Sequence, residues 1–138
     1  MTPDQIRNQL EELATVDNFP ERAFQLTEFW SSDEVGFEAV EVVLRFMEAY
    51  PAIDFGAPGA LTHFVERFYG KGYEEELVES VNRKPTRQTL WMLNRVLNGT
   101  KEEEQRKEYI LTMERAKFHP LIDQTALDQI RHFLGEPN

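Results

Sequence analysis

Cysteine is absent from the 138 residues, which excludes disulfides, thiol nucleophiles and thiolate metal ligands together. Serine occurs only at Ser31, Ser32 and Ser80, and histidine only at His63, His119 and His132. No apolar run approaches the roughly 20 residues of a membrane-spanning helix. Met1-Thr2-Pro3-Asp4 has neither the basic start nor the apolar stretch of a signal peptide. These absences predict a cytoplasmic protein. Positive charge is also short: 15 Lys and Arg face 25 Asp and Glu, for a formal net charge of −10. Phosphate backbones and anionic membranes would be repelled, so neither nucleic acid nor membrane is an expected partner. A basic protein is the partner that this balance attracts.

The acid is unevenly placed. Residues 1–82 hold 17 Asp and Glu against five Lys and Arg, a net −12, while residues 83–138 hold eight against ten, a net +2. Hydrophobic residues make up 41% of the chain and aromatics 12%, with ten Phe, enough apolar material for a packed core despite the charge. The length is that of one ordinary domain, so a single helical domain over residues 1–138 is predicted.

Helical periodicity runs from end to end. Thr2-Pro3-Asp4-Gln5 reads as a capping box with Pro at the first helical position, and Ile6, Leu10 and Leu13 follow at helical spacing. Pro20 opens a second helix with Ala23, Phe24, Leu26, Phe29 and Trp30 as its apolar positions. Ser31-Ser32-Asp33 is read as its end and as the cap of a third helix, about Asp33–Tyr50. There Val35, Ala39, Val42 and Phe46 form one row and Val40, Val43, Met47 and Tyr50 an adjacent one, a wide sector that predicts neighbours on two sides. Pro51 to Gly59 breaks the pattern, with Ile53 and Phe55 as anchors of an ordered loop. Helices over about 60–68, 73–82 and 86–98 follow. Thr100, with Glu103 three residues on, is read as a second capping box, and Gly135 as the stop of a last helix over about 125–134. The chain is therefore expected to be all-α, about eight short helices in antiparallel pairs, forming a compact bundle or a short HEAT-like array.

Chemistry-bearing motifs are sparse. His63 and Glu66 stand three apart, but di-iron bundles use Glu-x-x-His in two copies with two further Glu, so no metal is expected. Gly70-Lys71-Gly72 and Gly56-Ala57-Pro58-Gly59 are turns, too short for phosphate loops and preceded by no strand. None of the serines sits in a nucleophile elbow. Asn98-Gly99-Thr100 matches a glycosylation sequon, but a helix stop followed by a cap accounts for it. No catalytic residue and no cofactor is expected, and the chain reads as a binding protein, not an enzyme.

Two features point to binding. Glu34, Glu38, Glu41 and Glu48 are spaced 4, 3 and 7 apart, which predicts a carboxylate row on one side of the third helix, relieved locally only by Arg45. It is either a solvated face or a docking surface for Lys and Arg of a partner. Glu74-Glu75-Glu76 is explained by the dipole at the start of its helix. Trp91 lies beside core positions Leu90 and Leu93 and is read as core; part exposure beside Arg87 and Arg95 would make it an interaction surface instead.

Across Asp54–Asn98, the segments Asp54-Phe55-Gly56-Ala57-Pro58-Gly59 and Lys84-Pro85-Thr86-Arg87-Gln88-Thr89-Leu90-Trp91-Met92-Leu93-Asn94-Arg95 resemble small all-helical immunity proteins of bacterial polymorphic-toxin and contact-dependent inhibition systems. The resemblance covers about a third of the chain. It implies a cytoplasmic protein that neutralises a cognate toxin by occluding it, and carries over no contact residues; the charge split and the third-helix row are what offer Glu34, Glu38, Glu41 and Glu48 to toxin Lys and Arg. The alternative is a helical-repeat scaffold or adaptor that binds a cellular protein or peptide in a groove.

Overall fold

The computed structural model describes residues 1–137. The chain is all-α, with eight helices and no strand among the described residues. They are α1 (Pro3–Leu13), α2 (Phe19–Ser32), α3 (Glu38–Ala49), α4 (Ala60–Glu66), α5 (Tyr73–Arg83), α6 (Arg87–Asn98), α7 (Glu103–Ala116) and α8 (Gln124–Phe133). No helix among the described residues is long and apolar enough to cross a membrane. The sequence predicts a single domain; the chain divides into two compact units, residues 1–73 and 74–138, at the start of α5, where no linker composition marks it.

In the first unit, α1 packs on α2 and α3, and α4 packs on α2 and α3. The Thr2 capping box forms as its sequence predicts, hydroxyl to the Gln5 amide and Gln5 side chain back to the Thr2 amide. Ile6 and Leu10 are wholly buried, as are Val40, Val43, Leu44 and Met47 of α3; each such side chain contributes about 1.5–3 kcal/mol on leaving water. Trp30 is fully buried, its indole N–H donating to Gln9 Oε1 at 2.8 Å. Its ring meets Phe64 of α4 edge-on at 5.1 Å. The connection from α3 to α4 is anchored as expected by Phe55, whose ring packs edge-on against Phe19 and Phe46. Gly59 is required there, because a Cβ would lie 1.6 Å from the Phe55 carbonyl oxygen.

In the second unit α6, α7 and α8 pack on one another. Leu77, Val81, Leu90, Met92, Leu93, Met113 and Ile130 are wholly buried. Helix α6 starts from a capping box that its sequence did not suggest. The Thr86 hydroxyl accepts from the Thr89 amide at 3.2 Å, and the Thr89 hydroxyl accepts from the Thr86 amide at 3.3 Å. Asp123 caps α8 by accepting from the Ala126 amide at 2.8 Å.

Three expectations are corrected. Asp33 does not cap α3: α2 ends there, and α3 begins only at Glu38. Thr100 does not cap α7, whose N-cap is Glu102. Its buried hydroxyl instead donates back to the Val96 carbonyl at 2.6 Å, and Arg106 closes the corner by donating to the Leu97 and Thr100 carbonyls. Phe24 and Phe29 are not core, being 57% and 50% exposed; α2 turns Ala23 and Trp30 inward instead.

Candidate functional site

The acidic site predicted on the third helix lies around the corner from α2 into α3, and the corner explains its geometry. The Glu34 amide donates to the Ser31 carbonyl at 3.4 Å and the Val35 amide to the Trp30 carbonyl at 2.9 Å. This nested pair is a Schellman termination, in which the residue after the cap must adopt the left-handed conformation. That residue is Glu34, with φ of +56°. Val35, buried at 3%, follows into the core, as does Trp30. The turn isolates Glu34 from the helix that was expected to carry it.

The four predicted carboxylates therefore have four different settings. Glu34 is exposed, and its carboxylate makes no hydrogen bond or ion pair among the described residues. Glu38 is exposed at the first position of α3 and accepts from the Gly36 amide at 3.0 Å. That backbone bond, with a further one from its own amide, holds its carboxyl below the ordinary range, desolvation opposing only weakly. Glu41 is exposed one turn on and accepts from Arg45 at 3.2 Å across the helix surface. Glu48 is buried near the end of α3, at 8% exposure, so the single row of four does not form. The structure brings together Glu34, Glu38 and Glu41 around one corner and turns Glu48 inward. Asp33, exposed at the end of α2, joins the corner; its reading as a helix N-cap hid it.

Of the Glu74-Glu75-Glu76 run, in the first turn of α5, only Glu75 is exposed. Among the described residues no group of three or more His, Asp or Glu side chains is placed to hold one metal ion.

The second unit carries two surface features. Trp91 on α6 is half-buried, and the Arg95 guanidinium lies over its ring, 5.0 Å from the centroid. Trp91 is therefore not sealed in the core with Leu90 and Leu93. At the far end, Lys117, Phe118, Leu127, Arg131, Glu136 and Pro137 line an open cleft of about 470 Å³. Lys117 is held there by Glu114 and Glu136, both at 2.9 Å, and these bonds raise its pKa.

No family model, curated protein or solved structure matches the chain.

Proposed function

We propose that the chain is an immunity-type protein of a bacterial toxin system, which binds a basic cognate toxin and neutralises it by steric and electrostatic masking. It works by binding, without catalysis, in the cytoplasm, and the acidic corner steers association and pairs with toxin Lys and Arg. The observation that carries this reading is Glu34. A glutamate in the left-handed region costs about 1 kcal/mol relative to glycine. Its carboxylate gains no hydrogen bond or ion pair among the described residues in return. A strained backbone that presents an unpaired charge to solvent supports a role for that charge toward a partner. Glu41 and Asp33 extend the field, Glu38 is engaged by the backbone, and Glu48 drops out.

The test is growth rescue on co-expression with the product of the neighbouring reading frame, followed by association kinetics. Glu34→Lys with Glu41→Lys is expected to slow association about tenfold or more at low salt and to flatten its salt dependence. Rescue and kinetics that survive both reversals would sink the proposed site.

The adaptor reading draws on Phe24 and Phe29, which α2 leaves half in water. It predicts that Phe24→Ser and Phe29→Ser abolish partner binding while the glutamate reversals leave it intact.

A further inference from the structure

The acid is concentrated in residues 1–82, and the longest stretch without any begins at their end. From Ser80 to Lys101 there is no Asp or Glu, while Arg83, Lys84, Arg87, Arg95 and Lys101 all fall inside. The stretch contains the whole of α6. Leu90, Met92, Leu93, Val96 and Leu97 take its inner side into the core. Arg87, Trp91 and Arg95 stand at successive intervals of four, which places them on one side of the helix. Eight residues of helix span about 12 Å. Arg87 and Arg95 are exposed and Trp91 between them is partly exposed, with the Arg95 guanidinium stacked on its ring.

Nothing among the described residues accounts for Arg87. It occupies the first position of α6, where the unsatisfied amides of a helix start disfavour a cation. The first turn of α6 carries no acid, as is also true of α4 and α8, but among the described residues only α6 begins on a cation. The Arg87 guanidinium makes no ion pair or hydrogen bond among the described residues. An anion docked at this end of α6 would meet both the guanidinium and the helix dipole. Trp and Arg are the side chains that most often anchor protein interfaces, and a ring pre-stacked by Arg95 is an ordered anchor.

We infer that the outer face of α6, Arg87–Trp91–Arg95, is a docking site for an acidic peptide segment that carries an apolar or aromatic side chain. Carboxylates of the segment meet Arg87 and the start of α6, and its apolar side chain covers Trp91. Charge complementarity selects the occupant: the cationic patch is about 12 Å long, which suits a few peptide residues. A nucleic acid would extend its phosphates beyond the patch onto a chain of net charge −10. The site lies in the second unit, and it stands whether or not the acidic corner binds a toxin.

The experiment uses the full chain and a fluorescein-labelled peptide of four Glu-Glu-Phe repeats, read by anisotropy at low and physiological salt. Peptides of Lys-Lys-Phe and Glu-Glu-Ser repeats and a dodecathymidine strand serve as competitors. Saturable binding is expected, weakened by salt, displaced by neither competing peptide, and reduced about tenfold or more by R87E with R95E. The single Arg87→Gln, at an exposed helix position, is expected to weaken it severalfold with the circular dichroism spectrum unchanged, and Glu34→Lys to leave it intact. Absence of binding, equal binding by the arginine variants, or tighter binding of the thymidine strand than of the peptide would each overturn the proposal.

Discussion

Glu34 holds in the turn that ends α2 the place that Gly135 holds in the turn that ends α8. In each, the amide of the left-handed residue bonds the carbonyl three back, and the next amide bonds the carbonyl five back: Glu34 to Ser31 and Val35 to Trp30, Gly135 to His132 and Glu136 to Arg131. The φ values are +56° and +72°. The same backbone device is thus built once with the residue that suits it and once with one that does not.

Exchange of the two chemistries is therefore asymmetric. Glu34→Gly should stabilise the fold by about 0.5–1 kcal/mol, and Gly135→Ala should destabilise it by about 1 kcal/mol, although space around Gly135 is open. Urea unfolding midpoints at constant slope check both. A loss of stability in Glu34→Gly would remove the argument that its conformation is a cost.

The two threonines at helix junctions separate in the same assay. Thr86→Ala removes the reciprocal cap of α6 and should cost about 1–2 kcal/mol. Thr100→Val removes the hydroxyl bond to the Val96 carbonyl and should cost about 1 kcal/mol. Glu103→Ala, which breaks no cap of α7, should stay within about 0.5 kcal/mol.

Burial ranks the apolar side chains of the first unit in an order that hydrophobicity alone would not. Leu44→Ala, at a wholly buried site, should cost about 2–5 kcal/mol. Phe24→Ala, at a site 57% exposed, should change stability by less than about 0.5 kcal/mol. Thermal melts of the pair give the comparison directly.

Alkaline titration should weaken both units. The Tyr50 hydroxyl donates to Glu11, which raises its pKa, and Glu114 and Glu136 raise that of Lys117. A group whose pKa is raised on folding contributes fully below its unfolded pKa and loses that contribution as pH climbs through the folded value. Stability should therefore fall from about pH 10 upward. Tyr50→Phe and Lys117→Met should each flatten part of that fall in melts taken at successive pH values.

Helix number and type were legible because caps and 3.6-residue periodicity are local. The Thr2 box, the Pro20 start and the Gly135 stop all depend on a few adjacent residues, and all three form. What was misread depends on tertiary context. Asp33 has the chemistry of an N-cap, but Val35 and Trp30 are both buried and joined through the backbone, and the turn runs on past it. Thr100 offers a hydroxyl that can bond forward or backward, and the Val96 carbonyl wins it. Glu41 and Glu48 lie seven residues apart on nearly one side of α3, yet one is exposed and the other buried, because burial changes along the helix as well as around it. The Arg87–Trp91–Arg95 face was visible as spacing; only the stacked, partly exposed ring distinguishes it from core.

Each unit contains a single tryptophan, Trp30 in residues 1–73 and Trp91 in residues 74–138. Their surroundings differ: Trp30 is sealed with its indole N–H bonded to Gln9, and Trp91 is partly exposed under a guanidinium. Their emission should therefore differ in colour, blue from the first and redder from the second, so that unlabelled protein carries its own optical gauge of each half.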